Sequence, residues 1–128
     1  MELEPGRKGT AESMVTRENT ARAVGSGNLL VFSTPYMIAL MEEAACQAVK
    51  DALDEGCATV GTMLNVTHSS ATPVGMEVRA EAELTAVEGR KLHFHVTAYD
   101  EKGLIGEGEH ERFVIFEEKF LQKTYSKI

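Results

Sequence analysis

The sequence predicts an α+β domain in which a curved antiparallel sheet wraps around one long helix. Two observations carry this prediction. Between Thr34 and Gly56, about twenty residues place apolar side chains at helical spacing over more than half of the helix circumference. After Gly56 the apolar residues alternate instead, through four segments joined by short turns. Strands with one apolar face form an antiparallel sheet with one dry side, which the helix is able to cover.

The predicted helix begins at Thr34 and ends before Gly56. A threonine can cap the first turn, and Pro35 then occupies the first helical position, where its missing N–H costs nothing. Gly56 suits a left-handed C-cap.

Two adjacent glutamates interrupt the helix and fall on different faces. Glu43 shares its side with polar residues at helical spacing and is predicted to be solvated. The helical neighbours of Glu42 are mostly apolar, and a carboxylate on an apolar face costs free energy unless it is paired or functional. Most helical glutamates are merely solvated, but this position makes Glu42 a candidate for function.

The four segments after the helix are predicted to form a meander of strands. They cover about residues 58–68, 76–86, 92–98 and 104–116. Within the first of these, unbroken alternation places His68 on the same face as Leu64 and Gly61 on the opposite face. Strand material is also predicted before the helix, at residues 13–18 and 29–32. A long helix followed by such a meander is the chain order of the hotdog fold.

Length and charge limit the function. We expect residues 1–128 to form one domain, with 1–12 and 122–128 loosely ordered. A net charge of −7 without a basic run argues against nucleic acid as a partner. No segment is apolar enough to span a membrane or to act as a signal peptide, so the expected location is cytoplasmic. Cys46 and Cys57 lack zinc-site spacing and are expected to be reduced.

Three side chains are predicted to converge near the start of the helix. Thr34 and Glu42 lie two turns apart on it, and His68 projects from a strand that faces it. Alone, the threonine would be a helix cap and the histidine a hydrogen-bonded core residue. Together, a hydroxyl, a carboxylate and an imidazole under a helix N-terminus suit acyl transfer.

Several sequence stretches carry a resemblance to a known family. They are V-F-S-T-P-Y-M-I-A-L-M-E-E-A-A-C, V-G-T-M-L-N-V-T-H-S-S-A-T-P-V-G, V-E-G-R-K-L and I-G-E-G-E-H-E-R-F-V-I. Over about residues 29–122 the sequence resembles the fluoroacetyl-CoA thioesterases, a branch of the hotdog thioesterases. The resemblance implies that Thr34, Glu42 and His68 form the catalytic set and that Gly61 lines the acyl site.

The resemblance also implies a homodimer, or a dimer of dimers, that cleaves acyl-CoA thioesters at sites on the subunit interface. It implies no cofactor, because coenzyme A enters only as part of the substrate. One departure concerns the lid before the helix. The chain keeps Phe32, but Asn28 stands where a gating phenylalanine is expected. We therefore expect a permissive enzyme for short or small acyl groups rather than a fluoroacetyl-selective one.

Other interpretations stay open. A hotdog dehydratase or hydratase also pairs an acid with a histidine, and a non-catalytic acyl-CoA-binding protein would need no catalytic set. His93 and His95 share a strand face, but no third ligand is evident and no metal is predicted. Arg112, on the same face as His110, is assigned either a structural role or a contact with a coenzyme A phosphate.

Overall fold

The computed structural model describes residues 3–128, and these form one antiparallel sheet with one long helix packed on it. The elements are β1 (Lys8–Met14), a 3-10 turn (Arg17–Asn19), α1 (Ala21–Val24), α2 (Thr34–Val49), β2 (Cys57–His68), β3 (Glu77–Glu88), β4 (Lys91–Asp100), β5 (Gly103–Phe116) and α3 (Glu117–Tyr125). Among these residues the strand order is β1-β3-β4-β5-β2. Every neighbouring pair is antiparallel, as predicted, and β3, β4 and β5 form the predicted meander. The prediction is wrong for β2, which pairs with β5 at the far edge of the sheet rather than with β3.

Helix α2 lies on the inner face of the sheet, closest to β1 and β3. Its buried face consists of Met37, Leu40, Met41, Ala44, Ala45, Ala48 and Val49. The small residues allow the backbones of α2 and β1 to touch: a Cβ added at Gly9 would overlap the Ala44 carbonyl and the Ala48 backbone. Close packing of this kind fixes the position of the helix, and with it the side chains that the helix presents.

The helix is shorter than predicted, at 16 residues. Its N-cap is Ser33, whose side-chain oxygen accepts the Tyr36 N–H at 3.3 Å, so the prediction that Thr34 caps the helix is wrong. Thr34 is the first helical residue instead, and its hydroxyl is available for other contacts. The helix ends at Val49 rather than at Gly56, which adopts a left-handed conformation (φ 83°) in the turn before β2.

Strand β2 contains a β-bulge that its pattern of apolar residues does not indicate. Its register with β5 shifts after Gly61, and Thr62 is the extra residue. Gly61 lies opposite Arg112 and Leu64 lies opposite His110, and both of these β5 residues are buried. Gly61 therefore shares the helix-facing side with Leu64, and the prediction that placed them on opposite faces is wrong.

The two ends of the chain are more regular than expected. Of residues 1–12, expected to be loosely ordered, positions 8–12 belong to strand β1, which pairs with β3, and residues 1 and 2 lie outside the described residues. Within 122–128, positions 122–125 belong to helix α3. No helix among the described residues is long and apolar enough to cross a membrane.

The two strands predicted before the helix are not present as such. Residues 13–18 contain only the end of β1, which is followed by the 3-10 turn. Residues 29–32 contribute isolated bridges rather than a strand. These bridges join Thr20 to Phe32 and Val31 to Pro73.

Candidate active site

Thr34 and His68 meet at the start of helix α2, as predicted. Thr34 Oγ1 lies 2.7 Å from His68 Nδ1, within hydrogen-bond distance. The contact is possible because Ser33 caps the helix and because His68, after the bulge, projects from the end of β2 toward α2. A hydroxyl hydrogen-bonded to an imidazole is the arrangement in which histidine can take up or return a proton.

The surroundings of His68 favour its neutral form. Burial lowers the pKa of the imidazole below its ordinary value, and the nearby backbone of Ser70 offsets part of that effect. His68 Nε2 is buried and has no hydrogen-bond partner within residues 3–128. An unpartnered buried nitrogen costs free energy, and a bound ligand or water that contacted it would remove that cost.

A small cavity of about 230 Å³ lies beside this pair. Its lining includes Phe32, Thr34, His68 and Ser70. Drug-sized ligands occupy pockets of roughly 300–1,000 Å³, so this space suits a small group. Phe32 is buried in the lining, whereas Asn28 is exposed and does not line the cavity.

Glu42 belongs to a different group of side chains. Its Oε2 accepts a hydrogen bond from Arg112 Nη1 at 3.0 Å. Arg112 also donates from Nε to Thr59 Oγ1 at 2.8 Å, and from Nη1 to His110 Nε2 at 3.2 Å. We call Glu42, Thr59, His110 and Arg112 the arginine cluster. Gly61 borders it, because a Cβ there would overlap the Glu42 carboxylate and lie 3.2 Å from Arg112 Nη1.

The contacts of Arg112 favour a structural role over binding a coenzyme A phosphate. The residue is 6% exposed, and its second terminal nitrogen donates to the Thr59 carbonyl at 3.0 Å. A guanidinium that is buried and engaged on every nitrogen is poorly placed to reach a phosphate in solvent.

A single chain does not bring all three predicted catalytic side chains together. Thr34 and Glu42 are eight residues apart on α2, or about 12 Å along the helix axis. Within the described part of the chain, no hydrogen bond or ion pair joins Glu42 to Thr34 or His68. The chain therefore presents a threonine–histidine pair and, separately, a carboxylate held by an arginine.

Comparison with known proteins identifies the family. The sequence model of FlK, described as fluoroacetyl-CoA-specific thioesterase, matches residues 15–118. The chain belongs to this thioesterase family. The fluoroacetyl-CoA thioesterase of Streptantibioticus cattleyicolor is 46% identical over 97 residues, which cover 76% of this chain and 70% of that protein.

Solved structures confirm the hotdog fold of this thioesterase family member. A structure of the fluoroacetyl-CoA thioesterase FlK has a TM-score of 0.92 at 37% identity and covers 100% of this chain and 99% of its own. A hypothetical protein of Thermus thermophilus, described as a thioesterase superfamily member, has a TM-score of 0.87 at 28% identity. That match covers 99% of this chain and 98% of the other.

The remaining candidates in this thioesterase family member have structural contacts. On the outer face of the sheet, His93 pairs with Glu88 and Glu111, and His95 pairs with Glu109. Among residues 3–128, no group of three or more histidine, cysteine or acidic side chains is placed to hold a metal ion. Cys46 and Cys57 are both free thiols.

The contact between Glu42 and Arg112 is not predictable from the sequence. The two residues are 70 positions apart, and only the shared face of His110 and Arg112 hinted that this part of β5 was special.

Proposed function

We propose that this protein is an acyl-CoA thioesterase that acts on short or small acyl groups. The observation that carries the proposal is the Thr34–His68 hydrogen bond beside a small cavity, in a chain of the fluoroacetyl-CoA-specific thioesterase family. Hydrolysis adds one water across the thioester and gives a carboxylic acid and the thiol of coenzyme A. No cofactor enters, because coenzyme A is part of the substrate.

The proposed roles follow from the chemistry of each group. Glu42 acts as nucleophile or general base, and Thr34 positions the carbonyl or the attacking water. His68, neutral at pH 7, carries the proton that the leaving sulfur receives when the carbon–sulfur bond breaks.

The backbone N–H groups at the start of α2 can give only limited stabilisation to a developing oxyanion. Pro35 has no N–H, and the Tyr36 N–H is directed at Ser33 Oγ. The Thr34 N–H is therefore the amide of this turn best placed to donate, together with the positive end of the helix dipole.

We further propose a homodimer whose active site combines two subunits. Glu42 lies about two turns along α2 from Thr34 in one protomer, so the carboxylate of a second copy is the better partner for the threonine–histidine pair. Strand β2 is an edge of the sheet formed by residues 3–128, and its 12 residues leave one row of backbone groups unpaired by the other strands of that sheet. Such an edge favours pairing with a second copy across a two-fold axis.

Complementation between inactive variants tests the shared site. Mixed dimers of His68→Asn and Glu42→Gln would contain one doubly altered site and one intact site. If the subunits exchange at random, the mixture should recover about a quarter of wild-type activity although each variant alone is inactive. No recovery in confirmed mixed dimers, or a wild-type protein that sediments as a monomer, would contradict the two-subunit site.

A panel of acyl-CoAs tests the function and its selectivity. We expect thiol release from acetyl-, fluoroacetyl-, propionyl- and butyryl-CoA with comparable kcat/KM, because one small substituent in a pocket is worth only about 1–3 kcal/mol. Asn28 is exposed and lies outside the cavity lining, so it supplies no aromatic gate that would increase the free-energy difference between these substrates. A preference for fluoroacetyl-CoA over acetyl-CoA of several orders of magnitude would refute the permissive site.

The same panel separates the alternatives. Tight binding of the acyl-CoAs without thiol release would indicate a non-catalytic binding protein. Hydration of an enoyl-CoA without thiol release would indicate a hydratase.

A further inference from the structure

His110 is the most completely enclosed polar side chain of the arginine cluster. Its residue exposure is 0%, and both ring nitrogens have partners. Nδ1 lies 2.8 Å from the Met63 carbonyl oxygen, and Nε2 lies 3.2 Å from Arg112 Nη1. A carbonyl can only accept a hydrogen bond, so Nδ1 carries the ring proton, and Nε2 is then the acceptor for the guanidinium.

This tautomer connects His110 to Glu42. Arg112 Nη1 has two hydrogens, and two acceptors lie near it: His110 Nε2 and, at 3.0 Å, Glu42 Oε2. The opposite edge of the guanidinium is held by Thr59. The orientation of the hydrogens that reach Glu42 therefore depends on the acceptor that His110 supplies.

His110 also holds the β-bulge in place. Met63, whose carbonyl accepts from Nδ1, follows the extra residue Thr62 directly. That bulge turns Gly61 toward the helix, where the absence of a Cβ makes room for the Glu42 carboxylate. One imidazole thus contacts both features that determine where Glu42 lies.

Burial, more than the surrounding charges, favours the neutral form of this ring. Burial lowers the pKa of His110 most strongly, and the charge of Arg112 lowers it further, against the raising effects of the Met63 carbonyl, Glu42 and Glu111. A protonated ring would direct a second N–H at Arg112, which has only donors to offer.

We propose that His110 is a positioning residue for the reaction: its Nε2 orients the Arg112 guanidinium, which holds the Glu42 carboxylate beside Gly61. His110 acts through Arg112 and does not touch the substrate. This inference rests on the proposed role of Glu42 in turnover.

Two substitutions of His110 distinguish the roles of its two ring nitrogens. His110→Gln retains an acceptor near the Nε2 position, whereas His110→Asn retains only a donor near Nδ1. We expect His110→Asn to lower kcat about ten- to one-hundred-fold with little change in KM, since a hydrogen bond to a charged group is lost. His110→Gln should retain most of the wild-type kcat. Wild-type kcat in His110→Asn, or equal losses in both variants, would overturn the proposal.

A matched control distinguishes a specific loss of kcat from a general loss of stability. Val96, also 0% exposed, lies on the neighbouring strand β4 and outside the arginine cluster. Val96→Ala should lower Tm and leave kcat unchanged. If Val96→Ala lowers kcat as much as His110→Asn does, the effect is general destabilisation and the proposal fails.

A double-mutant cycle distinguishes this inference from the proposed function. In a Glu42→Gln background, His110→Asn should cause little further loss, because it acts through the carboxylate that is already neutralised. Additive losses would overturn the positioning role while leaving Glu42 catalytic. Full activity of Glu42→Gln itself would instead refute the catalytic role of Glu42 on which the positioning role rests, and a wild-type protein that releases no thiol would refute the proposed function.

The wild-type protein provides a test that needs no variant to fold. Two-dimensional ¹H–¹⁵N spectra of the histidine rings report which nitrogen carries the proton. We expect His110, assigned by its loss in either variant, to be in the Nδ1–H form at pH 7. An Nε2–H form or a charged ring would overturn the proposal.

Discussion

Glu42→Gln is expected to lower kcat by about three orders of magnitude, the middle of the range for loss of a general base. Glutamine keeps the size of the side chain, and its carbonyl oxygen can still accept from Arg112 Nη1, which now lies 3.0 Å from Glu42 Oε2. The fold should therefore be unaffected. Thiol release from acetyl-CoA, measured alongside Tm, checks both expectations.

The adjacent residue supplies the control. Glu43 is exposed on the other side of α2, whereas the Glu42 side chain is 37% exposed and paired with Arg112. Glu43→Gln should change kcat by less than about twofold, as expected for a surface charge away from the site. Equal losses for the two variants would show that the difference between the two helix faces has no bearing on catalysis.

Gly9→Ala should have the largest effect on stability. The added Cβ would overlap the Ala44 carbonyl and lie 2.9 Å from Ala48 Cα. These are backbone atoms of α2, so no side-chain rotation relieves the overlap, and the helix or strand β1 has to move. Overpacking typically costs about 1–3 kcal/mol, and we expect a value of about 3 kcal/mol, seen as a Tm lower by roughly 10 °C.

Gly27→Ala is the matched substitution for this measurement. A Cβ at Gly27 would lie 3.4 Å from the Ala21 side chain, an ordinary van der Waals distance. Its Tm should stay within a few degrees of the wild-type value. Similar Tm values for Gly9→Ala and wild type would mean that the approach of β1 to α2 is looser than described.

The sequence was sufficient to predict the elements whose apolar pattern is strong. Strands β3, β4 and β5 alternate clearly, and the short turn predicted between the segments 76–86 and 92–98 matches the β3–β4 hairpin. Strand β1 was missed because Ala11 is its only buried residue, so it shows no alternation to detect. Its place in the sheet depends on pairing with β3 and on packing against the helix.

The candidate site was predictable in part for similar reasons. His68 was placed correctly because it lies after the bulge, in phase with Leu64. The cap was assigned to Thr34 because Ser33 and Thr34 are adjacent and both residue types cap helices well. The partner of Glu42 could not be predicted, because Arg112 reaches it only through the register of two strands.

The extra residue in β2 also affects how length differences between related sequences should be read. Thr62 has no partner on β5, so its deletion would remove the bulge and leave Gly61 opposite Arg112 and Met63 opposite Glu111. Gly61 and Leu64 would then share the helix-facing side by plain alternation, and the open space at Gly61 would be kept. Homologues with this chemistry can therefore differ by one residue in the spacing between their glycine and histidine, and a one-residue gap at this point of an alignment is no sign that the site has been lost.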